Sequence, residues 1–440
     1  MSISRKSPHV LIVGGGIGGL CLAQALRKSG VSTAVFERDR SRTDRLQGYR
    51  IHIDPQGSQA LHECLPDTLF KTFDATCGGA SHAFNYVTEN LEPLLRLDLS
   101  AANEATDPIA RHRSLSRITL RRILLEGLDD AVHFDKRFSR YETSPDGRVV
   151  AYFDDGTAAA GDLLIGADGG NSQVRKQLLP RAERRDTGIV GVAGKVPLTP
   201  ETREWIPRPL LEGPMFVKAP HGRAMFSAPL IYPGAERAAI REFFGDEALP
   251  AGPEGSLWDN LSDYVFWSFS TRNESFPPGR RPGEVQGEDL RAEVLEMVAA
   301  WHPNLRRLIR EAVPDTILSL PIRTSVRVEP WESSRVTLLG DAIHSMTPYR
   351  GIGANIALRD AALLGRNLAA AHRGEIPMER AVHEYEAQML DYGFEAVESS
   401  LRAMEQVHAE GVFAEAVGKT VLRAINAVPM LKRRMLRSPT

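Results

Sequence analysis

Cysteine is scarce in this chain: Cys21, Cys64 and Cys77 are the only ones among 440 residues, and all lie in the first fifth. No Cys-x-x-Cys pair and no Cys/His zinc spacing occurs, which argues against a disulfide scaffold, a structural zinc site or a dithiol redox centre. Long hydrophobic runs are missing too, and nothing approaches the roughly 18 apolar residues of a membrane-spanning helix. Charge of one sign does not dominate: 54 Lys+Arg against 56 Asp+Glu leave a formal net charge of -2. No global field therefore recommends nucleic acid or an anionic membrane as a partner. There is no Gly-x-Ser-x-Gly elbow, and His62-Glu63 lacks the second histidine of a zinc protease. Gly188 to Val196 lacks the first glycine and the Ser/Thr of a phosphate-binding loop. No resident metal is expected.

What is present is an ordinary globular composition, 42% hydrophobic and 25% charged, long enough for two or three domains at ~150 residues each. Arg5 and Lys6 precede an apolar stretch, as in a secretory leader. Five glycines between Gly14 and Gly19 interrupt that stretch, so a strand, a turn and a helix are expected there, in a cytoplasmic protein. The βαβ pattern runs through a strand at 9–13, a helix at 20–29 and a strand at 33–36. An amphipathic helix is expected over 114–128. Strands at 149–153 and 163–165 are read as a hairpin joined by Asp154, Asp155 and Gly156. From about Asp186 to Glu284 short β-like segments at 215–218, 225–231 and 265–270 mark a second, antiparallel domain. Helical periodicity returns at 290–309, a strand is expected at 336–339 and a helix at 354–370. The last seventy residues read as helical, with Val382, Tyr385, Met389 and Tyr392 on one face.

Gly14, Gly16 and Gly19 satisfy Gly-x-Gly-x-x-Gly between a strand and a helix, where the first glycine makes the turn, the second admits a pyrophosphate and the third allows close packing. Glu37 follows the second strand, where a carboxylate accepts both ribose hydroxyls of an adenosine. This fingerprint does not separate FAD from NAD. A second polar block, Gly340-Asp341-Ala342-Ile343-His344 followed by Pro348, Gly351, Gly353 and Asn355, offers a carboxylate and a helix N-terminus for the other end of a long ligand.

With these blocks in hand, the chain resembles the single-component FAD-dependent monooxygenases, the flavoprotein aromatic hydroxylases of the p-hydroxybenzoate hydroxylase fold. Ile165 to Gly169 with Ser172, Val174 and Arg175 is similar to that family's DG motif, Gly340 to Ala361 to its GD motif, and Arg117, Leu120 and Leu124 to its Arg-x-x-Leu-x-x-x-Leu helix. Ile343 and Ile352 stand where the family commonly has Ala and Gln. The resemblance covers about the first 400 residues, and the chain ends without the thioredoxin-like domain of longer relatives. It implies an α/β fold: a Rossmann-like FAD-binding domain from 1–80, 105–185 and 285–370, an inserted antiparallel β-sheet substrate domain from 81–104 and 186–284, and C-terminal helices over 371–440.

The resemblance also implies roles. Glu37 would hold the adenosine ribose, Arg117 the FAD phosphates or ribityl chain, and Asp341 the ribityl hydroxyls. Asp168 would support FAD and the transient approach of NADPH or NADH. Pro348 and the Gly351 to Asn355 turn would lie along the isoalloxazine. The implied reaction is hydroxylation or epoxidation of an aromatic or polycyclic metabolite by O2 through a flavin C4a-hydroperoxide. No second Gly-x-Gly-x-x-Gly is present to give NAD(P)H its own domain. An oxidase or dehydrogenase on the same fold, or a flavin-bound sequestering protein, remains an alternative.

Arg50 and His52, following Gly48, are the candidate catalytic residues, placed to meet an acidic substrate or take a proton. His344 is a weaker candidate base, because a histidine in this motif more often satisfies a turn. Phe216, Met225, Phe226, Phe266, Trp267 and Phe269 are candidate pocket lining, and strand alternation implies that about half are core. Lys432, Arg433, Arg434 and Arg437 read as a solvated tail, without stable membrane insertion. Monomer and homodimer both stay open.

Overall fold

A computed structural model describes residues 9–42, 44, 49–100, 107–244, 262–276 and 286–432; Gly48 and Arg433 to Arg437 lie outside them. Strand His9–Val13 is buried at four of five positions, as suits a strand covered on both faces of a parallel sheet. It is central in such a sheet. The order is Val336–Leu338, Leu163–Gly166, His9–Val13, Ser32–Phe36 and Val132–His133, all parallel. Helix Ile17–Lys28 packs on the sheet and on helix Gly353–His372. Their approach is close: a Cβ on Gly365 would stand 2.8 Å from that of Ala25.

The Asp154–Gly156 turn joins Val149–Phe153 not to Leu163 but to Ala158–Gly161, in a three-stranded sheet with Phe138–Thr143. Leu163–Gly166 is buried throughout, too apolar for a hairpin arm, and takes the place beside His9–Val13. The helix expected over 114–128 begins later. Arg113–Ser116 is a strand paired with Arg50–Ile53, and helix Arg117–Leu125 starts where the Ser116 hydroxyl accepts the Ile118 N–H at 3.2 Å. The helical stretch at 290–309 is two helices, Gly287–Met297 and Pro303–Arg310. Proline opens the second, where its missing N–H costs nothing.

The second sheet has seven strands: Leu318–Ser325, Arg184–Pro197, Tyr264–Arg272, Ala224–Leu230, Met215–Lys218, Ala83–Thr88 and Pro93–Asp98. It is antiparallel except where Met215–Lys218 runs parallel to Ala83–Thr88. One face buries Val192, Val217, Met225, Val265, Trp267 and Phe269 against Leu290, Val294, Trp301, Leu305 and Leu308. The segment 287–325, assigned to the FAD-binding unit by sequence, thus packs on this sheet, because its helices supply the apolar cover that face requires.

Helix Met378–Val407 buries Val382, Tyr385, Met389 and Tyr392 in the main core. Helix Val412–Ala427 lies along strand Pro93–Asp98, tied by Lys419 to Glu89 at 3.1 Å. Among the described residues no helix is long and apolar enough to cross a membrane.

Candidate active site

The parallel sheet brings together blocks that are far apart in sequence. Strands His9–Val13, Leu163–Gly166 and Val336–Leu338 are neighbours, and their carboxyl ends lead into Gly14 to Gly19, Asp168 and Asp341. Open α/β sheets bind ligands at this edge.

Gly14 has φ +112°, and a Cβ there would stand 2.3 Å from the Ala167 carbonyl oxygen; a Cβ on Gly19 would meet the Gly14 oxygen at 2.2 Å. Gly16 differs: nothing lies within 4 Å of its Cβ position, at the start of helix Ile17–Lys28. The first and third glycines are thus required by the protein, and the second leaves space at a helix N-terminus, as a pyrophosphate needs. Glu37, buried just after its strand, accepts the Gly15 N–H on Oε2 at 2.6 Å and the Asp39 N–H on Oε1 at 2.9 Å. Each oxygen keeps a lone pair for a ribose hydroxyl.

Asp168 Oδ2 accepts the Gln173 N–H at 2.7 Å, while Oδ1 is buried without a hydrogen bond of normal geometry. Burial raises this carboxyl above the usual range, against the Ser172 hydroxyl and backbone N–H groups that lower it. Asp341 is exposed in the first turn of the short helix Asp341–His344. Arg117 is exposed at the first position of its helix. An unsatisfied buried oxygen, an open cradle and two outward charges fit the pyrophosphate and polyol of FAD. Glu37, Gly16, Arg117, Asp168 and Asp341 are the residues that would hold it.

Other expected residues also have contacts within the protein. Asn355 is buried, and its amide donates to the His52 carbonyl and accepts the Asp54 N–H, so it positions the strand beside the site. Pro348 opens the turn Pro348–Arg350, Gly351 closes it with φ +65°, and Gly353 starts the long helix. His344 is fully buried, with Nε2 bonded to Asp360 Oδ2 at 2.7 Å. Asp360 also accepts the Gly340 N–H at 2.8 Å and the Tyr392 hydroxyl at 2.7 Å. Burial opposes charge on His344, yet the Asp360 carboxylate beside it raises its pKa. This is a fastening beneath the motif, not a base for substrate.

Arg50 and His52 occupy strand Arg50–Ile53. Burial lowers the Arg50 pKa to about 10, so it stays cationic at neutral pH; its Nη2 donates to Ser114 Oγ at 2.5 Å. Burial, then Arg50 and His112, push His52 down to about 3. Its Nε2 lies 3.1 Å from His112 Nδ1, and the rings stack at 5.2 Å. So weak a base is poorly matched to proton transfer at neutral pH.

Two arginines escaped the sequence reading, and a third was underread. Arg121 Nε donates to the Gly15 carbonyl at 3.0 Å and Nη1 to that of Arg42 at 3.1 Å; its spacing of four from Arg117 was the available signal. Arg175 was noted only as part of a motif, but it joins two of them, donating to the carbonyls of Ala342 at 2.7 Å and Gly170 at 3.0 Å. Arg184 donates to Asn171 Oδ1 at 3.2 Å, and burial lowers its pKa while the Asp341 carboxylate opposes that shift; no local pattern announced it.

The six candidate lining residues divide evenly. Met225, Trp267 and Phe269 are core, whereas Phe216, Phe226 and Phe266 are half-buried on the opposite face. Phe84 and Tyr86 extend this row, with Phe84 to Phe226 at 6.2 Å and Tyr86 to Phe216 at 5.8 Å. Tyr49, just ahead of Arg50, meets Phe266 in a tilted ring contact, with centroids 5.0 Å apart.

Fold and site together define a dinucleotide-binding α/β protein that carries a β-sheet with an aromatic face. Residues 280–400 match the model of an FAD binding domain, and 12–76 that of an NAD(P)-binding Rossmann-like domain. The chain is 30% identical over 388 residues to an FAD-dependent urate hydroxylase of Klebsiella pneumoniae, covering 87% of this chain and 85% of that one. It is 33% identical over 394 residues to a dual O-methyltransferase/FAD-dependent monooxygenase of Phaeosphaeria nodorum, covering 83% of this chain. It spans only 41% of that relative's length. Klebsiella pneumoniae HpxO, solved with FAD and uric acid, superposes with a TM-score of 0.74 at 26% identity, over 96% of this chain and 95% of that one. The chain belongs to the FAD-dependent monooxygenases. FAD is the cofactor, and the Rossmann-like match supports a nicotinamide reductant.

Proposed function

We propose that this protein uses NADPH or NADH and O2 to hydroxylate or epoxidise an aromatic or polycyclic metabolite. The observation that carries the reading is the row Phe84, Tyr86, Phe216, Phe226 and Phe266, half-buried on a sheet face that Tyr49 meets from beside the FAD-binding residues. Partly exposed aromatic rings facing a polar cofactor site form the wall that a planar apolar substrate needs. FAD, when bound, supplies the oxidation and reduction chemistry. The protein's own work is to hold the ring system against this wall, to exclude water, and to place charge with Arg50 and the DG and GD loops. Uric acid, bound in the structure of one relative, is itself a planar ring compound.

The test is anaerobic reduction of the FAD-loaded protein by NADPH or NADH, with and without phenols, indoles and fused aromatics, followed by turnover under 18O2. Faster reduction with substrate and label in the product support the proposal. Reduction by the substrate itself, with no label incorporated, would transfer the assignment to an oxidase or dehydrogenase.

A further inference from the structure

We infer that Arg121 is a positioning residue for FAD: by holding the Gly15 carbonyl it aims the Gly16 N–H into the space reserved for the pyrophosphate. Its role is independent of which substrate the protein takes.

Helix Arg117–Leu125 buries Leu120, Ile123 and Leu124, and Arg121, one turn after Arg117, reaches instead to the glycine turn. Nε donates to the Gly15 carbonyl at 3.0 Å and Nη1 to the Arg42 carbonyl at 3.1 Å. Nη2 stands 3.6 Å from Asp39 Oδ2, and the side chain is only 19% exposed. These contacts close a ring with the adenosine-ribose carboxylate. Arg121 holds the Gly15 carbonyl, the Gly15 N–H reaches Glu37 Oε2 at 2.6 Å, the Asp39 N–H reaches Glu37 Oε1 at 2.9 Å, and Asp39 returns to Arg121. The glycine turn, the end of strand Ser32–Phe36 and a helix distant in sequence are thus fastened to one another around Glu37.

A trans peptide is planar, with its carbonyl and its N–H on opposite sides. The Gly15 carbonyl and the Gly16 N–H belong to one such unit, so a guanidinium that holds the first fixes the direction of the second. That N–H points away from Arg121 at the start of helix Ile17–Lys28, where nothing lies within 4 Å of the Gly16 Cβ position. A donor aimed beforehand loses little freedom when an anion arrives, and the helix N-terminus favours negative charge there. Asp39 counters the guanidinium charge, so Arg121 acts on the cofactor through geometry. Its rigid fork suits this task, because one plane holds two carbonyls.

The variants are Arg121→Met and, as a control, Gln24→Leu. Gln24 Nε2 donates to the carbonyls of Leu124 at 2.9 Å and Glu126 at 2.8 Å, so it fastens the end of the same helix without touching the turn. Full-length apoprotein is titrated with FAD, followed by flavin fluorescence, and ADP competes in the same titration. In Arg121→Met both affinities should fall by a similar factor of at least about tenfold, the order of a charge-assisted hydrogen bond, because the pyrophosphate is common to both ligands. Gln24→Leu should melt earlier and keep both affinities, whereas a merely structural Arg121 would make the two variants behave alike. If Arg121→Met does not fold, Arg121→Lys, which keeps the charge and loses the fork, should show both losses in smaller measure. Wild-type FAD affinity in the folded variant, loss for FAD without loss for ADP, failure of ADP to compete in the wild type, or an equal loss in Gln24→Leu would each overturn the assignment.

Discussion

The Asn355 side chain donates to the His52 carbonyl at 3.1 Å and accepts the Asp54 N–H at the same distance, so one buried amide holds the strand that carries Arg50. Asn355→Leu keeps the volume but leaves two backbone groups unpaired. A loss of about 2–4 kcal/mol is expected, read by urea denaturation, with weaker substrate binding from a displaced Arg50. Unchanged stability would show that the strand does not depend on this amide.

The two glycine roles are separable. Gly14→Ala demands φ +112° of an alanine and drives its Cβ into the Ala167 carbonyl, so it should yield little folded protein. Gly16→Ala meets no protein atom within 4 Å. Its apoprotein should melt like wild type, while FAD affinity falls by about tenfold or more because the methyl occupies space reserved for the pyrophosphate. Equal FAD affinity in Gly16→Ala would remove this loop from the cofactor site.

Asp341 is exposed, and among the described residues no hydrogen bond to its side chain is seen. Asp341→Ala should therefore change apoprotein stability by no more than about 0.5 kcal/mol, yet the protein should purify with little FAD. Full flavin occupancy at wild-type affinity would contradict its role at the ribityl chain.

Acid should weaken the fold through His408. It is 2% exposed, with Nε2 facing the Tyr349 hydroxyl and Nδ1 facing the Gly222 carbonyl, each at 2.5 Å. Burial lowers its pKa to about 4. A depressed folded value means that this stabilisation is complete above the unfolded value of ~6.5 and is lost as pH falls towards 4, at most about 3 kcal/mol. His52, lowered to about 3, acts in the same direction, while His344, whose value is raised, contributes below ~6.5 and fades as pH rises through its folded value. Melting temperatures between pH 7 and 4 should fall less steeply in His408→Gln than in wild type. Parallel curves would show that the ring is not the titrating group.

Legibility in the sequence follows distance along the chain. Gly14 to Gly19 and Glu37 were readable because strand, turn and helix are local, and Asp168 and Asp341 because each sits in a short motif. That their strands are neighbours depends on sheet order, which no local pattern encodes. At 114–116 amphipathic spacing suggested helix, but pairing with Arg50–Ile53 made those residues part of a strand. The alternation of Phe266 and Trp267 implied two faces, yet only the helices over 287–310 determine which face is covered. Arg184 lies outside any motif and gains its significance from Asn171 and Asp341, brought near by folding.

The even division of the lining residues has a practical corollary for redesign. Under the proposed function, Phe216, Phe226 and Phe266 are the positions to randomise together to change which ring systems are accepted, while Met225, Trp267 and Phe269 are held fixed. Adjacent positions on these strands answer to separate demands, so a combinatorial library confined to the half-buried row should retain folded members even where every member has lost the native substrate.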